Sequence, residues 1–82
     1  MTEYIKTDAE WMQFAYEQAA LAAAQGEIPV GAIIVSNNQI IGQGFNSPIS
    51  LNDPTAHAEI VAIREACQAI QNYRLPDDAV LY

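Results

Sequence analysis

The apolar positions of this 82-residue chain form two helical periods that bracket an unbroken apolar run. Met12, Ala15, Ala19, Ala22 and Ala23 recur at helical spacing, with Trp11 and Phe14 widening the face, in a stretch free of Pro and Gly. Thr7-x-x-Glu10 has the spacing of a capping box and Asp8 adds a first-turn carboxylate, so a helix is predicted from there to Gln25. Five alanines among residues 19–24 give it a thin face that can lie close to a sheet. Gly26 suits the position just past the helix end, and Pro29 forbids continuation. Residues 30–35 are apolar throughout, the pattern of a strand buried on both faces. Asn37 and Asn38 tolerate positive φ and predict a tight hairpin into a second strand, residues 39–45, where Gly42 and Gly44 mark a bulge or close packing. Residues 46–52 read as a loop. Asp53 or Thr55 can cap a second helix with Pro54 in its first turn, and Ala56, Ile60, Ile63, Cys67 and Ile70 give it a buried stripe. Residues 73–78 end it and turn, and residues 79–82 open a third strand. The order helix-strand-strand-helix-strand predicts an α/β class within one domain.

Composition narrows the setting. A hydrophobic fraction of 51% with few Gly and Pro argues for a folded segment. A chain this short buries only about 60–65% of the surface its unfolded form exposes, so the core is marginal. The net charge of −7 comes from ten acids against Lys6, Arg64 and Arg74. Taken bare, it argues against nucleic acid, whose phosphates need clustered Lys and Arg; scattered acids suit a solvated surface. Cys67 is the one cysteine, which excludes an internal disulfide and suits a reducing compartment. No run approaches the ~20 apolar residues of a membrane span, and the first residues lack a basic start followed by an apolar run. A soluble cytoplasmic protein with no membrane partner is expected. An ending inside an apolar strand start leaves that strand's backbone unpaired, so residues 1–82 are expected to be the N-terminal portion of one domain, truncated in its third strand.

The chemistry concentrates in His57-Ala58-Glu59, after a loop and in the first turn of the second helix. A lone His is more often structural than a ligand, but a neutral imidazole there is a good Zn²⁺ donor. Glu in a first turn is usually a dipole-favourable surface charge; two residues from a metal ligand it can instead shuttle protons. Hydrolytic deamination needs that group: water must lose a proton, a ring nitrogen must gain one, and the leaving amine must take one. Cys67 is excluded as a second ligand, because ten residues of continuous helix put it roughly 15 Å from His57 along the axis; it reads as a small core residue. Asn46 is either a turn residue exploiting the left-handed region or a pocket amide. Trp11, Tyr16 and Tyr73 read as packing residues.

Residues 27–32 (Glu-Ile-Pro-Val-Gly-Ala), Asn46, residues 53–60 (Asp-Pro-Thr-Ala-His-Ala-Glu-Ile) and residues 72–75 (Asn-Tyr-Arg-Leu) leading into Ala-Val-Leu-Tyr resemble the bacterial tRNA-specific adenosine deaminases, in the cytidine deaminase-like superfamily. The similarity runs from about residue 10 to the end and covers the first half of that domain. The rule that zinc nucleobase deaminases combine H-x-E with a later P-C-x-x-C is a general one for which this family is itself the standard example. The resemblance implies a three-layer α/β/α sandwich around a five-stranded sheet, built as a homodimer. It makes His57 a zinc ligand and Glu59 the catalytic proton shuttle; Asn46, Val30 and the Ala58 backbone would bind the flipped base. The implied reaction converts the wobble adenosine of a tRNA anticodon loop to inosine. The Pro-Cys-x-x-Cys half of the signature is missing, leaving one protein ligand where a catalytic zinc wants three, so the 82 residues alone are not expected to be active. In the family the RNA-binding basic residues come largely from the missing half and the partner subunit, which weakens the argument from net charge. Guanine or cytosine deaminases of the superfamily are the alternative, since guanine deaminases carry nearly the same His-Ala-Glu segment; Pro29-Val30-Gly31 and residues 72–75 favour the tRNA enzymes. A second alternative is a non-catalytic fragment that complements a separate half by strand addition.

Overall fold

A computed structural model describes residues 4–82. Helix α1 (Asp8–Ala24) starts on the expected capping box: the Thr7 hydroxyl accepts from Glu10 N–H while the Glu10 carboxylate accepts from Thr7 N–H. It stops in a Schellman turn, with Gly26 at φ 75° and the Gly26 and Glu27 amides donating back to the Ala23 and Ala22 carbonyls. Strands β1 (Gly31–Ser36) and β2 (Gln39–Phe45) pair antiparallel through a two-residue turn in which Asn37 and Asn38 both take positive φ. The register slips between Ile34 and Val35, leaving Ile41 as the bulged residue beside Gly42. Strand β3 (Val80–Leu81) pairs antiparallel with the other edge of β1, giving the order β2-β1-β3.

The sheet is covered on both faces, which is why β1 is apolar throughout. On one side α1 lays Trp11 and Phe14 over Ile33 and Val35. On the other, helix α3 (Ala58–Ile70) lays Ala58, Ala62 and Ala66 against Ala32 and Ile34. The result is the expected three-layer α/β/α arrangement. Both helices lie almost on the backbone of the sheet. A Cβ at Gly31 would stand 2.6 Å from Gln18 Cβ and press on the Ala15 carbonyl, and one at Gly42 would stand 2.7 Å from Ala66 Cβ and press on the Ala62 carbonyl.

Several local expectations are corrected. The buried face of α1 is Trp11, Ala15, Gln18 and Ala22, so Met12 and Ala23 face solvent. Alanine is apolar on every face, so the run 19–24 carried no phase. The buried line of α3 is Ala58, Ala62 and Ala66, not Ala56, Ile60, Ile63, Cys67 and Ile70, because only methyl-sized side chains fit where β2 comes closest. Ala56 is buried, but before the helix begins, while Ile60, Ile63, Cys67 and Ile70 are half-buried along its flank. The Cys67 thiol donates to the Tyr73 carbonyl rather than sitting in the core. Trp11 packs as expected, but Tyr16 and Tyr73 are 66% and 87% exposed and pack on little. The stretch 46–52 is not all loop: Pro48–Leu51 forms a short helix, α2, with Pro at its first position.

Candidate active site

The start of α3 is built differently from the expected cap. Asp53 folds back on its own backbone, its Oδ1 accepting from Thr55 N–H (2.9 Å) and the Thr55 hydroxyl (2.7 Å), and Arg64 stands 3.4 Å from its other oxygen. These bonds, the Thr55 ones foremost, hold the Asp53 carboxyl below the ordinary carboxylate range. Neither residue therefore caps α3, and Pro54 lies outside it. The N-cap is His57, in extended conformation and with no cap bond from its own side chain.

The cap comes from Asn46, at the end of β2. Its Oδ1 accepts from Ala58 N–H at 2.8 Å, while its own N–H donates to the Val30 carbonyl at 3.0 Å. Asn46 is 7% exposed and does not use the left-handed region. One carbonyl oxygen thus ties the end of β2 to the first amide of α3, one of the orphan donors of a helix start. Its amide NH₂ is the part left for another partner. Ser47 N–H donates to the Ala56 carbonyl at 2.9 Å and doubles the tie.

Asn46 and His57 meet in a cavity of about 180 Å³, where they stand with Gly26, Glu27 and Ile28 from the α1–β1 loop and with Pro48 and Ile49 of α2. The imidazole therefore opens on a hollow lined by apolar and polar groups and is not packed away among aliphatic side chains. Glu27, which lies in the 27–32 segment but has no role readable from the sequence, is 6% exposed, and its carboxylate accepts from Ile49 N–H (3.3 Å), Ser50 N–H (2.7 Å) and the Ser50 hydroxyl (2.7 Å). The Ser50 amide foremost keeps that carboxyl ionised below its usual range. No local pattern could have marked it, because its partners lie 22 and 23 residues away.

The remaining expected site residues sit around this centre. Ala58 is fully buried with its N–H committed to Asn46. Glu59 is exposed in the first turn of α3 and makes no hydrogen bond among the described residues. Val30 meets Asn46 through its backbone, but its side chain lines an adjoining hollow beside Met12, Ala15 and Tyr16. The structure thus brings His57, Asn46 and the Ala58 amide together and leaves the Val30 side chain and Glu59 outside the cavity itself. Among the described residues no three His, Cys, Asp or Glu side chains gather as a metal site. His57 offers one accessible donor, Cys67 is engaged near the far end of α3, and the Glu27 carboxylate is already taken. These residues fit one ligand position of a zinc centre, not a whole centre.

The arrangement has clear relatives. The tRNA-specific adenosine deaminase of Buchnera aphidicola subsp. Schizaphis graminum is 56% identical over 68 residues, which cover 83% of this chain and 45% of that protein. A chain from a structural study of A-to-I editing by tRNA:A34 deaminases at the wobble position of transfer RNA superposes with a TM-score of 0.85 at 42% identity, over 90% of this chain and 53% of that one. The guanine deaminase of Bacillus subtilis superposes with a TM-score of 0.87 at 40% identity, over 94% and 49%. The chain thus spans about half the length of these relatives. The family model for the cytidine and deoxycytidylate deaminase zinc-binding region matches residues 5–82, and the chain belongs to that family.

Proposed function

We propose that residues 1–82 are the N-terminal portion of a single deaminase domain that converts the wobble adenosine of a tRNA anticodon loop to inosine. The observation that carries this reading is the His57 imidazole, set at the N-cap of α3 on the edge of a cavity and held there through Asn46. The identity to tRNA-specific adenosine deaminases supports the substrate. His57 is one zinc ligand, and two cysteines from outside these 82 residues supply the others. Zinc, when bound, makes hydroxide available near neutral pH. Glu59 takes one proton of the attacking water to the ring nitrogen, then carries the remaining hydroxyl proton to the departing amine as the C–N bond breaks. The Asn46 NH₂, the Val30 side chain and the Ala58 backbone hold the base, and an unpaired anticodon base can swing into such a site. The working form is a homodimer in the cytoplasm.

The encoding DNA beyond the Tyr82 codon tests the domain reading: a Pro-Cys-x-x-Cys in frame shortly downstream is expected, and its absence in every frame refutes it. The 82-residue chain alone is expected to lose equimolar Zn²⁺ on dialysis against a mild chelator; retention would place the remaining ligands within these residues. In the completed domain, Glu59→Ala is expected to keep zinc and lower the deamination rate by about 10²-fold or more. A guanine deaminase is the second reading, favoured by the 0.87 superposition. An anticodon stem-loop and free guanine, offered to the same completed enzyme, separate the two.

A further inference from the structure

The cavity at His57 has two apolar lips from opposite parts of the chain. Ile28, in the loop after α1, is 71% exposed, and Ile49, in α2, is 73% exposed, yet both line the same hollow. Exposed isoleucines on either side of a cavity form a slot for a flat ring, with the polar groups of Asn46 and His57 at its edge. Something must hold the two lips at a fixed separation, because a four-residue helix has little stability of its own.

We infer that Glu27 is the positioning residue of this slot: its carboxylate clasps α2 from the Ile28 side and so sets the gap between Ile28 and Ile49 that admits a purine-sized ring. Ile49 and Ser50 carry two of the helix-start amides that have no partner within a helix, and Glu27 is their acceptor. The Ser47 N-cap leaves them unserved, since its hydroxyl donates to the Phe45 carbonyl. A nearly buried carboxylate is costly unless its lone pairs are filled, so the clasp is bound from both ends. Its carboxylate is taken up by α2, so Glu27 acts on the ring through Ile28 and Ile49. The purine rests on the function proposed above, whereas the clasp stands on geometry alone.

The experiment compares the completed domain with its E27Q and E27A variants by amide hydrogen exchange and by NMR titration with adenosine. In E27A, protection at the Ile49 and Ser50 amides is expected to fall more than about tenfold, as loss of bonds to a charged acceptor implies, while Ile33 and Ala62 keep theirs. Adenosine affinity is expected to fall by about tenfold in step, with E27Q, which keeps one acceptor oxygen, between wild type and E27A in both readouts. Unchanged exchange at Ile49 and Ser50 overturns the clasp. Protection lost equally at Ile33 and Ala62 reduces Glu27 to a general fold residue and overturns it too, as does adenosine affinity that stays constant after the clasp has opened. A wild-type completed domain whose clasp behaves as expected but which shows no adenosine shift refutes the purine reading and leaves the clasp standing.

Discussion

Asn46 shows how much one side chain decides here. Its oxygen satisfies the Ala58 amide in a buried setting, and truncation leaves that N–H without an acceptor. Asn46→Ala is therefore expected to lower unfolding free energy by about 1–3 kcal/mol, read as a shift of the urea midpoint at constant slope. Asn46→Asp keeps an oxygen in place and should recover part of that loss. His57 and Glu59 could be picked out from the sequence as candidates because the chemistry fixes both residue types and their spacing; the structure sets His57 at the cavity and leaves Glu59 exposed beside it. For Asn46 the sequence offered a turn residue or a pocket amide, and its role as the cap of α3 was not readable, because the amide it serves lies twelve residues away. Glu27 opens the 27–32 segment of the resemblance, yet its role was not readable, because its three bonds span a sequence gap that no local pattern bridges.

At the scale of elements, the signals that survived folding were those satisfied locally. The capping box of α1, the Schellman glycine and the paired asparagines of the hairpin all appear where the sequence put them, because each closes its own bonds within a few residues. The start of α3 did not, since Asp53 and Thr55 satisfied each other and the cap came from a distant strand. The far end of α3 also departs from the rule: Gln71 stands at φ 53°, where a side chain costs about 1–2 kcal/mol. Gln71→Gly is expected to stabilise the chain by up to about 1 kcal/mol, after the greater entropy of glycine in the unfolded state is set against that strain, and a thermal melt checks it. Strand β3 hangs on a carboxylate latch. Asp78 accepts from the Ser36 hydroxyl (2.7 Å) and the Asn37 N–H (2.8 Å), and these two bonds, the hydroxyl first, depress its folded-state pKa below the usual 3.8. A depressed carboxyl contributes stability that is complete above its unfolded value and disappears as pH falls through the folded one. Exchange at the Tyr82 amide, which donates to the Ile33 carbonyl, should accelerate in that acid window and lose the pH dependence in Asp78→Asn.

Across the whole molecule, three layers are stacked at the closest spacing that backbone permits. Gly42→Ala drives a methyl group into α3 and is expected to cost about 1–3 kcal/mol, a large part of what an 82-residue chain holds in reserve; chemical denaturation measures it. The α/β class was readable from the order of elements, and the covering of both sheet faces from β1, apolar throughout; the three-layer sandwich itself was implied by the family resemblance. The phase of the two helices was not readable, since alanine carries no amphipathic signal. No helix among the described residues is long and apolar enough to cross a membrane.

The alanine line of α3 has one more effect. Ala58, Ala62 and Ala66 have no side-chain torsions to choose among, so this line of the helix freezes no rotamers of its own as it settles on Ala32 and Ile34. The backbone of His57, at the head of that line, inherits its coordinates from main chain pressed on main chain. The Ala58 amide that follows it should stay protected over a wide range of temperature, as a mount on a rigid rail.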